Sequence, residues 1–421
     1  MPHHCRFHRL LSILALGVFV IGVLGTPPTT AQAAFASQVF YASPDIVLLP
    51  DCSASKPCPL QTAVDNAVDG DTIIAKAGTY HSTADQVLHI NKDIVIYGGW
   101  NGMVGRGMDI DPITYKTILD GENERRVVLI DSDASPKLVG MVMVYGYVKD
   151  GLGGGVSIQN STGGNVMLDK CWVQNNYAGW YGGGFSINIG SLTIRNSAIT
   201  TNITTYGGGA ILAGAGTTVI LENNILMANN ADYGSAGHFD RANLIAKSNV
   251  IFQNDGNPAV SFIGQTGQTL VFENNLFREN KGAAVSGTNI NSTSIAFLHN
   301  TLVNNLGNGL SLPSNTSGVI MNNIFQGNVL DSIYLGTGST PMVSNNLFWE
   351  NGSNSNEGDN AIEADALLDS NSHLTNGSPA INAGANSGIT VDFDGQARPL
   401  GLPDIGADEF MLSLYLPTTM R

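Results

Sequence analysis

The sequence is dominated by an asparagine that returns at a nearly constant interval. In segments such as 192–202, 219–229 and 270–280, alternating apolar residues lead to a polar turn residue, and an asparagine follows six residues later. The terminal asparagines are Asn176, Asn202, Asn229, Asn254, Asn280, Asn305, Asn328 and Asn351. Their spacing of 23 to 27 residues predicts a repeat in which each copy packs on the next.

Each copy is built from strands rather than helices. Its apolar runs last three to five residues and alternate, whereas a helix needs a longer run with a 3.6-residue period. A propeller blade needs about 40 residues and four strands, which this interval does not provide. About 25 residues with two or three short strands make one coil of a parallel β-solenoid, whose coils stack at about 4.8 Å.

The asparagines have a structural role in such a fold. Equivalent side chains stack in columns, so a column of amides at a bend can hydrogen-bond from coil to coil and satisfy backbone groups. A turn column lies six residues earlier and contains Asn196, Asn223, Ser248, Asn274 and His299. We interpret His299 as a substitution within that column.

Residues 1–36 are typical of a secretory signal peptide. Basic residues such as Arg6 and Arg9 precede an apolar run over 10–24, and small residues at 31–36 offer cleavage sites. The run is short for a membrane span, and an uncleaved anchor is the alternative. We therefore expect a secreted or cell-surface protein whose mature chain has no transmembrane span.

Cysteine usage fits an oxidising compartment. Cys52 and Cys58 lie close in sequence, which favours a disulfide between them. Cys171 lies in the apolar run 168–173 and is interpreted as a buried free thiol. No second Cys or His pair completes a tetrahedral set with these cysteines, so no metal site is predicted from them.

The charge balance excludes some partners. The chain carries 19 Lys and Arg against 34 Asp and Glu, a net charge of −15 at pH 7. Nucleic acid and anionic membranes are disfavoured, because both require clustered basic residues. With 43% hydrophobic residues the chain is not disordered. We expect a monomer.

The N-terminal third resembles a known fold family. Apolar residues within 60–68 have helical spacing and predict a short helix that caps the first coil. The run 70–80, with Gly-Asp-Thr-Ile and Gly-Thr-Tyr, and the motifs at 97–100 and 118–121 resemble secreted parallel β-helix proteins of the pectate-lyase-like superfamily. The resemblance implies an all-β, right-handed parallel β-helix (β-solenoid) with an N-terminal capping helix and a C-terminal cap.

The C-terminal motifs resemble a closing module. The stretches 378–384, 392–399 and 403–410 are similar to the choice-of-anchor Q domain of β-helix proteins on bacterial surfaces, which implies a bacterial origin. The predicted organisation is a signal peptide, a β-helix with its N-terminal cap, a choice-of-anchor-Q-like C-terminal cap and a tail, at 1–36, 37–377, 378–410 and 411–421. Residues 352–360 are interpreted as a flexible surface loop.

Charged residues concentrate in this predicted cap. We expect Arg398 to pair with Asp404 or Asp394 and to pin the cap over the last coil. The alternative is a Ca²⁺ site that uses Asp392 and Asp394. No other cofactor is predicted.

Catalytic motifs of the superfamily are missing. The sequence has no Asp-Asp pair, no Gly-His-Gly and no Arg-Ile-Lys, which the resemblance to polygalacturonase-like hydrolases would imply. Glu222 and Glu273 fall in one column two coils apart, which separates them by about 9.6 Å. Their neighbours at alternate positions are apolar, so we interpret them as solvated surface acids.

Two local clusters are candidate sites. His238, Asp240 and Arg241 interrupt the repeat and could supply a base, its orienting group and a charge stabiliser, although an outward ion pair is the alternative. The second cluster consists of Trp180, Tyr181, Tyr206 and Tyr233, whose tyrosines recur in steps of 25 and 27 residues. Such rings could bind a sugar chain, or could stack on one another to hold a long loop.

Three functions follow from these observations. The leading hypothesis is an extracellular or cell-surface scaffold that binds carbohydrate or another surface polymer. The second is a polysaccharide lyase or glycoside hydrolase that uses the region 232–241. The third is a structural, adhesin-like spacer.

Overall fold

The computed structural model describes residues 37–45, 47–289, 292–398 and 401–411. The predicted signal peptide and residues 412–421 of the predicted tail lie outside this part of the chain. Within the described ranges, no helix has the length and apolar character required to cross a membrane.

The chain winds through three parallel sheets, and the prediction of an all-β parallel β-helix is confirmed. The first sheet has twelve strands: Val39–Ala42, Thr72–Lys76, Val95–Trp100, Lys137–Val139, Asn165–Asp169, Ser191–Arg195, Thr218–Glu222, Asn243–Lys247, Leu270–Glu273, Thr293–Leu298, Thr316–Met321 and Met342–Ser344. The second sheet also has twelve: Gly78–Tyr80, Thr117–Asp120, Met141–Val144, Trp172–Gln174, Ala198–Thr200, Ile225–Met227, Val250–Phe252, Leu276–Arg278, Thr301–Val303, Ile324–Gln326, Leu347–Trp349 and Ile362–Glu363.

The third sheet and a small corner sheet complete each turn. The third sheet has ten strands: Gln86–Ile90, Arg126–Ile130, Val156–Ile158, Phe185–Ile187, Ile211–Ala213, Gly237–Asp240, Val260–Gly264, Val285–Asn289, Leu310–Leu312 and Ile333–Leu335. The corner between the second and third sheets carries Tyr147–Val148, Tyr177–Ala178 and Ile203–Thr204. We call one passage through the three sheets a rung.

Strand alternation directs one set of side chains into the β-helix. In the first sheet Leu192 pairs in register with Val219, and Val219 with Leu244, and all three are buried. Aromatic rings stack in the same way, with 5.4 Å between the ring centroids of Phe325 and Phe348. Because equivalent positions repeat from rung to rung, one continuous apolar core runs through the fold.

The eight repeating asparagines form a column at the corner after the second sheet. The backbone N–H and the side-chain amide of Asn176 both donate to Oδ1 of Asn202, at 3.1 and 2.9 Å. Nδ2 of Asn202 in turn donates to the Val173 carbonyl and to Oδ1 of Asn229. The residue before each asparagine takes the left-handed conformation, as at Thr201 with φ 54°. The column thus pairs polar groups that the bend would otherwise leave buried and unsatisfied.

A second buried column of asparagines lies at the bend between the first and second sheets. It consists of Asn224, Asn249, Asn275, Asn300, Asn323 and Asn346, linked by the same pattern of bonds. The turn column singled out from the sequence lies one residue earlier, and its members have left-handed backbones, as at Asn223 and His299. This second column was not predicted.

The N-terminal end is covered by the helix Leu60–Asn66, which packs Leu60, Ala63 and Val64 onto the core. It ends before Val68, which is exposed. Cys52 and Cys58 form a disulfide in the preceding loop. Cys171 is a buried free thiol, and burial raises its pKa to about 12.

Two different segments pack on the last rungs. Residues 353–361 cross the last rung, where the Asp359 N–H donates to the Val343 carbonyl and Ala361 packs on the core. They lie at the end of the β-helix as exposed or half-buried turns, and their interpretation as a flexible surface loop stays a prediction. Residues 378–410 lie along the side of the last rungs instead of over the end. There Ile405 packs against Ile324 in a second apolar cluster.

Candidate functional site

The aromatic residues meet at the corner between the second and third sheets. The strand Tyr177–Ala178 pairs with Tyr147–Val148 and Ile203–Thr204, and a glycine-rich bend then leads into the third sheet. Successive bends pack backbone on backbone: a Cβ on Gly183 would lie 2.5 Å from the Ile203 carbonyl oxygen. Glycine is required there because no side chain fits between the rungs.

Six rings form what we call the aromatic surface: Tyr147, Tyr177, Trp180, Tyr181, Tyr206 and Tyr233. Tyr147 and Tyr177 stack with ring centroids 5.2 Å apart. Tyr181 lies 5.5 Å from Tyr206 and 6.4 Å from Tyr233 by the same measure. The ring contacts thus define two groups on neighbouring rungs, Tyr147 with Tyr177 and Tyr181 with Tyr206 and Tyr233.

The predicted single column of tyrosines is wrong in register. Tyr181 aligns with Gly207, and Gly207 aligns with Tyr233, whereas Tyr206 follows Trp180. Because Gly207 has no side chain, the Tyr233 ring lies across it, and a Cβ there would be 2.5 Å from that ring. The Tyr233 hydroxyl thereby reaches the Tyr181 hydroxyl at 3.2 Å.

The aromatic surface has an inner and an outer part. Tyr181 and Tyr233 are half-buried and are joined by the hydrogen bond between their hydroxyls. Burial, and to a smaller extent the contact with the Tyr181 hydroxyl, raise the pKa of Tyr233. Trp180 and Tyr206 are 49% and 47% exposed. The inner pair therefore supports the loop, while the outer rings are accessible to a ligand.

Tyr147 and Tyr177 were not among the residues predicted for this cluster. Their signal was the alignment of one tyrosine per coil at the start of the corner. The longer, 30-residue step between them obscured it.

His238 lies directly behind the aromatic surface. Its side chain points away from the core but is only 8% exposed, because the Tyr233 ring packs edge-on against it with 4.9 Å between centroids. Nδ1 lies 2.7 Å from the Ser261 hydroxyl on the next rung. Burial lowers the pKa of His238, which favours the neutral imidazole.

Asp240 and Arg241 do not converge on His238. Arg241 donates two hydrogen bonds to the Asp240 carboxylate, at 2.8 and 3.0 Å. This pairing lowers the pKa of Asp240, and burial opposes it with a smaller effect, so the net shift is downward. Within the described ranges, the group that contacts the His238 imidazole through a hydrogen bond is Ser261, so any base at this site would be oriented by a hydroxyl rather than by Asp240.

Glu222 and Glu273 belong to an alternating charge ladder on the first sheet. Asp169, Arg195, Glu222, Lys247 and Glu273 succeed one another in register. Lys247 lies between the two glutamates and contacts Glu273 at 2.8 Å. Opposite charges on adjacent strands stabilise each other, so the pair is part of a surface ion network.

Arg398 does pin the C-terminal segment, but through partners other than those expected. Its guanidinium contacts the Glu409 carboxylate at 3.1 Å and donates to His299 Nδ1 at 3.0 Å. It also donates to the backbone carbonyls of Asp404, Gly406 and Ala407. The Asp404 carboxylate instead accepts backbone N–H groups from Asn382 and Phe410.

The alternative Ca²⁺ site at Asp392 and Asp394 does not fit the geometry. Asp392 is buried, and one of its oxygens accepts the backbone N–H groups of Asp394 and Gln396. Its other oxygen accepts the Glu409 N–H. The carboxylate therefore organises the turn and is not free to bind an ion together with Asp394.

A cavity of about 520 Å³ lies on a different face, over the second sheet. Trp172 and Ile225 line it from the sheet, and Pro112 and Ile113 from a loop. The Lys116 ammonium lies 5.2 Å from the Trp172 ring centroid. Sequence analysis did not identify this cavity, since the loop is distant in sequence from the strands that it covers.

Comparison with known proteins supports the fold. The family described as "Right handed beta helix region" matches residues 143–296, the rungs that carry the aromatic surface and His238. The predicted right-handed parallel β-helix is thus confirmed. A search of curated proteins found no matching sequence.

Several solved structures are similar. Pectate lyase Pel9A aligns with 14% identity and a TM-score of 0.54, over 90% of this chain and 98% of its own. The complex of XylC with xylose aligns with 9% identity and a TM-score of 0.48, over 89% and 98%. The PL6 family alginate lyase AlyGC aligns with 13% identity and a TM-score of 0.37, over 87% and 57%. The likeness to the pectate lyase concerns the fold.

Proposed function

We propose that this chain is an extracellular or cell-surface β-helix scaffold that binds carbohydrate on the aromatic surface. The observation that carries the proposal is the pair of exposed rings, Trp180 and Tyr206, on adjacent rungs. Backbone positions in successive rungs are about 4.8 Å apart, close to the length of one sugar unit in an extended glycan. Aromatic faces offer the apolar platform on which sugar rings stack, and the tyrosine hydroxyls offer hydrogen bonds.

The net charge of the chain limits the class of glycan that it can bind. A net charge of −15 repels polyanions at low ionic strength, so we propose a neutral glycan. The Cys52–Cys58 disulfide supports an oxidising, extracellular location. Residues 378–410 are proposed to be a choice-of-anchor-Q-like module, on the basis of their sequence motifs.

The test is binding to a panel of neutral glycans by isothermal titration calorimetry. Trp180→Ala and Tyr206→Ala should each weaken binding at least tenfold. Tyr334→Ala is the matched control, because Tyr334 is 49% exposed on a distant rung of the third sheet. Equal affinity in all variants, or absence of binding in the wild type, contradicts the proposal.

A second candidate is a polysaccharide lyase or hydrolase that uses His238. The specific observation is a neutral, hydroxyl-bonded imidazole directly behind a ring of the aromatic surface. Incubation with the same neutral glycans should then release reducing ends if the chain is a hydrolase, and incubation with uronate-containing polysaccharides should release unsaturated ends if it is a lyase. His238→Gln should abolish this release while leaving binding intact. Binding without products favours the scaffold, and neither binding nor products favours the structural spacer.

A further inference from the structure

The side chains of His373, Asp394 and Asp408 meet in the C-terminal segment. One ligand atom from each of them lies within 4.8 Å of those of the other two. His373 and Asp394 each lie in a tight turn that an antiparallel bridge closes, between residues 368 and 374 and between 391 and 397. Asp408 comes from a third stretch of chain, so the cluster joins three segments.

The distances suit a common ion. His373 Nε2 lies 3.1 Å from Asp394 Oδ2, close to the separation of about 3.4 Å between two ligands in a tetrahedral site with metal–ligand distances of about 2.1 Å. In such a site every pair of ligands is about 3.4 Å apart, so side-chain movements of up to about 1.4 Å bring all three atoms into range. The other ring nitrogen of His373 faces Asp369 at 3.9 Å, and a carboxylate in that position orients a metal-binding imidazole.

A separate observation comes from Asp408, which is only 7% exposed. One of its oxygens accepts the Leu374 N–H at 2.7 Å. The other has no hydrogen-bond donor among the described residues. Within the described ranges no lysine or arginine contacts its carboxylate, so no positive charge compensates it by contact.

The nearest arginine does not supply that charge by contact. Arg398 is engaged by Glu409, His299 and backbone carbonyls, and within the described ranges it makes no hydrogen bond to Asp408. A buried carboxylate within 4.8 Å of a histidine nitrogen and a second carboxylate oxygen is a donor set that attracts a cation.

We propose that His373, Asp394 and Asp408 bind a divalent metal ion of the zinc class. The imidazole nitrogen selects zinc over calcium and magnesium, which prefer oxygen ligands. His373 and Asp394 are partly exposed, so water completes the coordination. Because the ligands come from three segments, the ion joins these segments and stabilises the C-terminal region against unfolding.

The experiment uses tag-free protein, dialysed against chelator and titrated with Zn²⁺ by isothermal titration calorimetry. We expect one Zn²⁺ per chain and a Zn²⁺-dependent rise in the thermal unfolding midpoint. His373→Ala and Asp394→Asn should weaken binding at least tenfold and abolish the rise. His81→Ala is the control, since His81 faces a single carboxylate, Glu122, at 3.3 Å.

Each outcome decides the proposal. Retained binding in His373→Ala, or loss of binding in His81→Ala, overturns it. A Ca²⁺ affinity equal to that for Zn²⁺ overturns the role of the imidazole. If Asp408→Asn folds, as its circular dichroism would show, but still binds Zn²⁺ with wild-type affinity, the buried carboxylate is not a ligand.

Discussion

Lowering the pH is expected to weaken the attachment of residues 378–410 through one buried imidazole. His299 has no exposed surface, and its Nδ1 accepts a hydrogen bond from Arg398, which requires the neutral ring. Burial, and then the charge of Arg398, lower its pKa from 6.5 to about 3. The unfolded chain binds a proton at this ring below pH 6.5, so the stabilisation is complete above that value and is lost as the pH falls towards 3.

The size of the effect at pH 5 follows from the shift. Over the 1.5 pH units below 6.5, at about 1.4 kcal/mol per unit, the free energy of unfolding falls by about 2 kcal/mol. Buried carboxyl groups act in the opposite direction. Burial raises the pKa of Asp404 and Asp408, so the folded chain binds their protons more readily and gains stability in acid. A variant that removes only the imidazole separates the two effects.

His299→Asn is that variant, because asparagine occupies the equivalent left-handed turn position at Asn274 and Asn322. Urea unfolding of both proteins would be measured at pH 7.5 and pH 5. We expect the wild type to lose about 2 kcal/mol more than the variant between the two pH values. Equal losses would refute the assignment of this pH dependence to His299.

Three further predictions concern the asparagine columns, the aromatic surface and the charge ladder. Asn229→Ala leaves two buried donors of Asn202 without an acceptor, so urea unfolding should show a loss of about 3 kcal/mol in the free energy of unfolding. The control is Asn188→Ala, at an exposed position, which should lower this free energy by less than about 0.5 kcal/mol. Gly207→Ala should displace the Tyr233 ring, cost about 1–3 kcal/mol and weaken glycan binding, and addition of Tyr233→Ala should recover stability but not binding. Lys247→Ala removes a partly exposed ion pair and should change stability by less than about 1 kcal/mol; a loss above about 2 kcal/mol would contradict a surface role for the charge ladder.

The fold was predictable because a buried amide needs hydrogen-bond partners, which restricts where an asparagine can recur in the sequence. An asparagine that must pair with its copy in the next rung has to recur at the length of one rung, and that interval is visible in the sequence. The second column was missed for a physical reason. In Asn223-Asn224 one residue takes the left-handed turn and the other points inward, and the residue types alone do not distinguish these roles.

The candidate site was less predictable, because its geometry depends on single-residue register and on distant contacts. The three glycines that follow Tyr206 fit either alignment, so the sequence concealed the shift that places Tyr206 after Trp180. The contact between Arg398 and His299 joins residues 99 positions apart. No local pattern reports such a pairing.

The asparagine columns also govern how the length of this molecule can change. Each asparagine amide accepts a hydrogen bond from the rung before it and donates one to the rung after it. Every interior rung therefore makes the same hydrogen bonds to its two neighbours. Insertion or deletion of one complete rung leaves no orphaned amide, whereas a fractional change breaks both columns at once. Duplication can therefore lengthen the β-helix only by whole rungs, so its length changes in multiples of one rung.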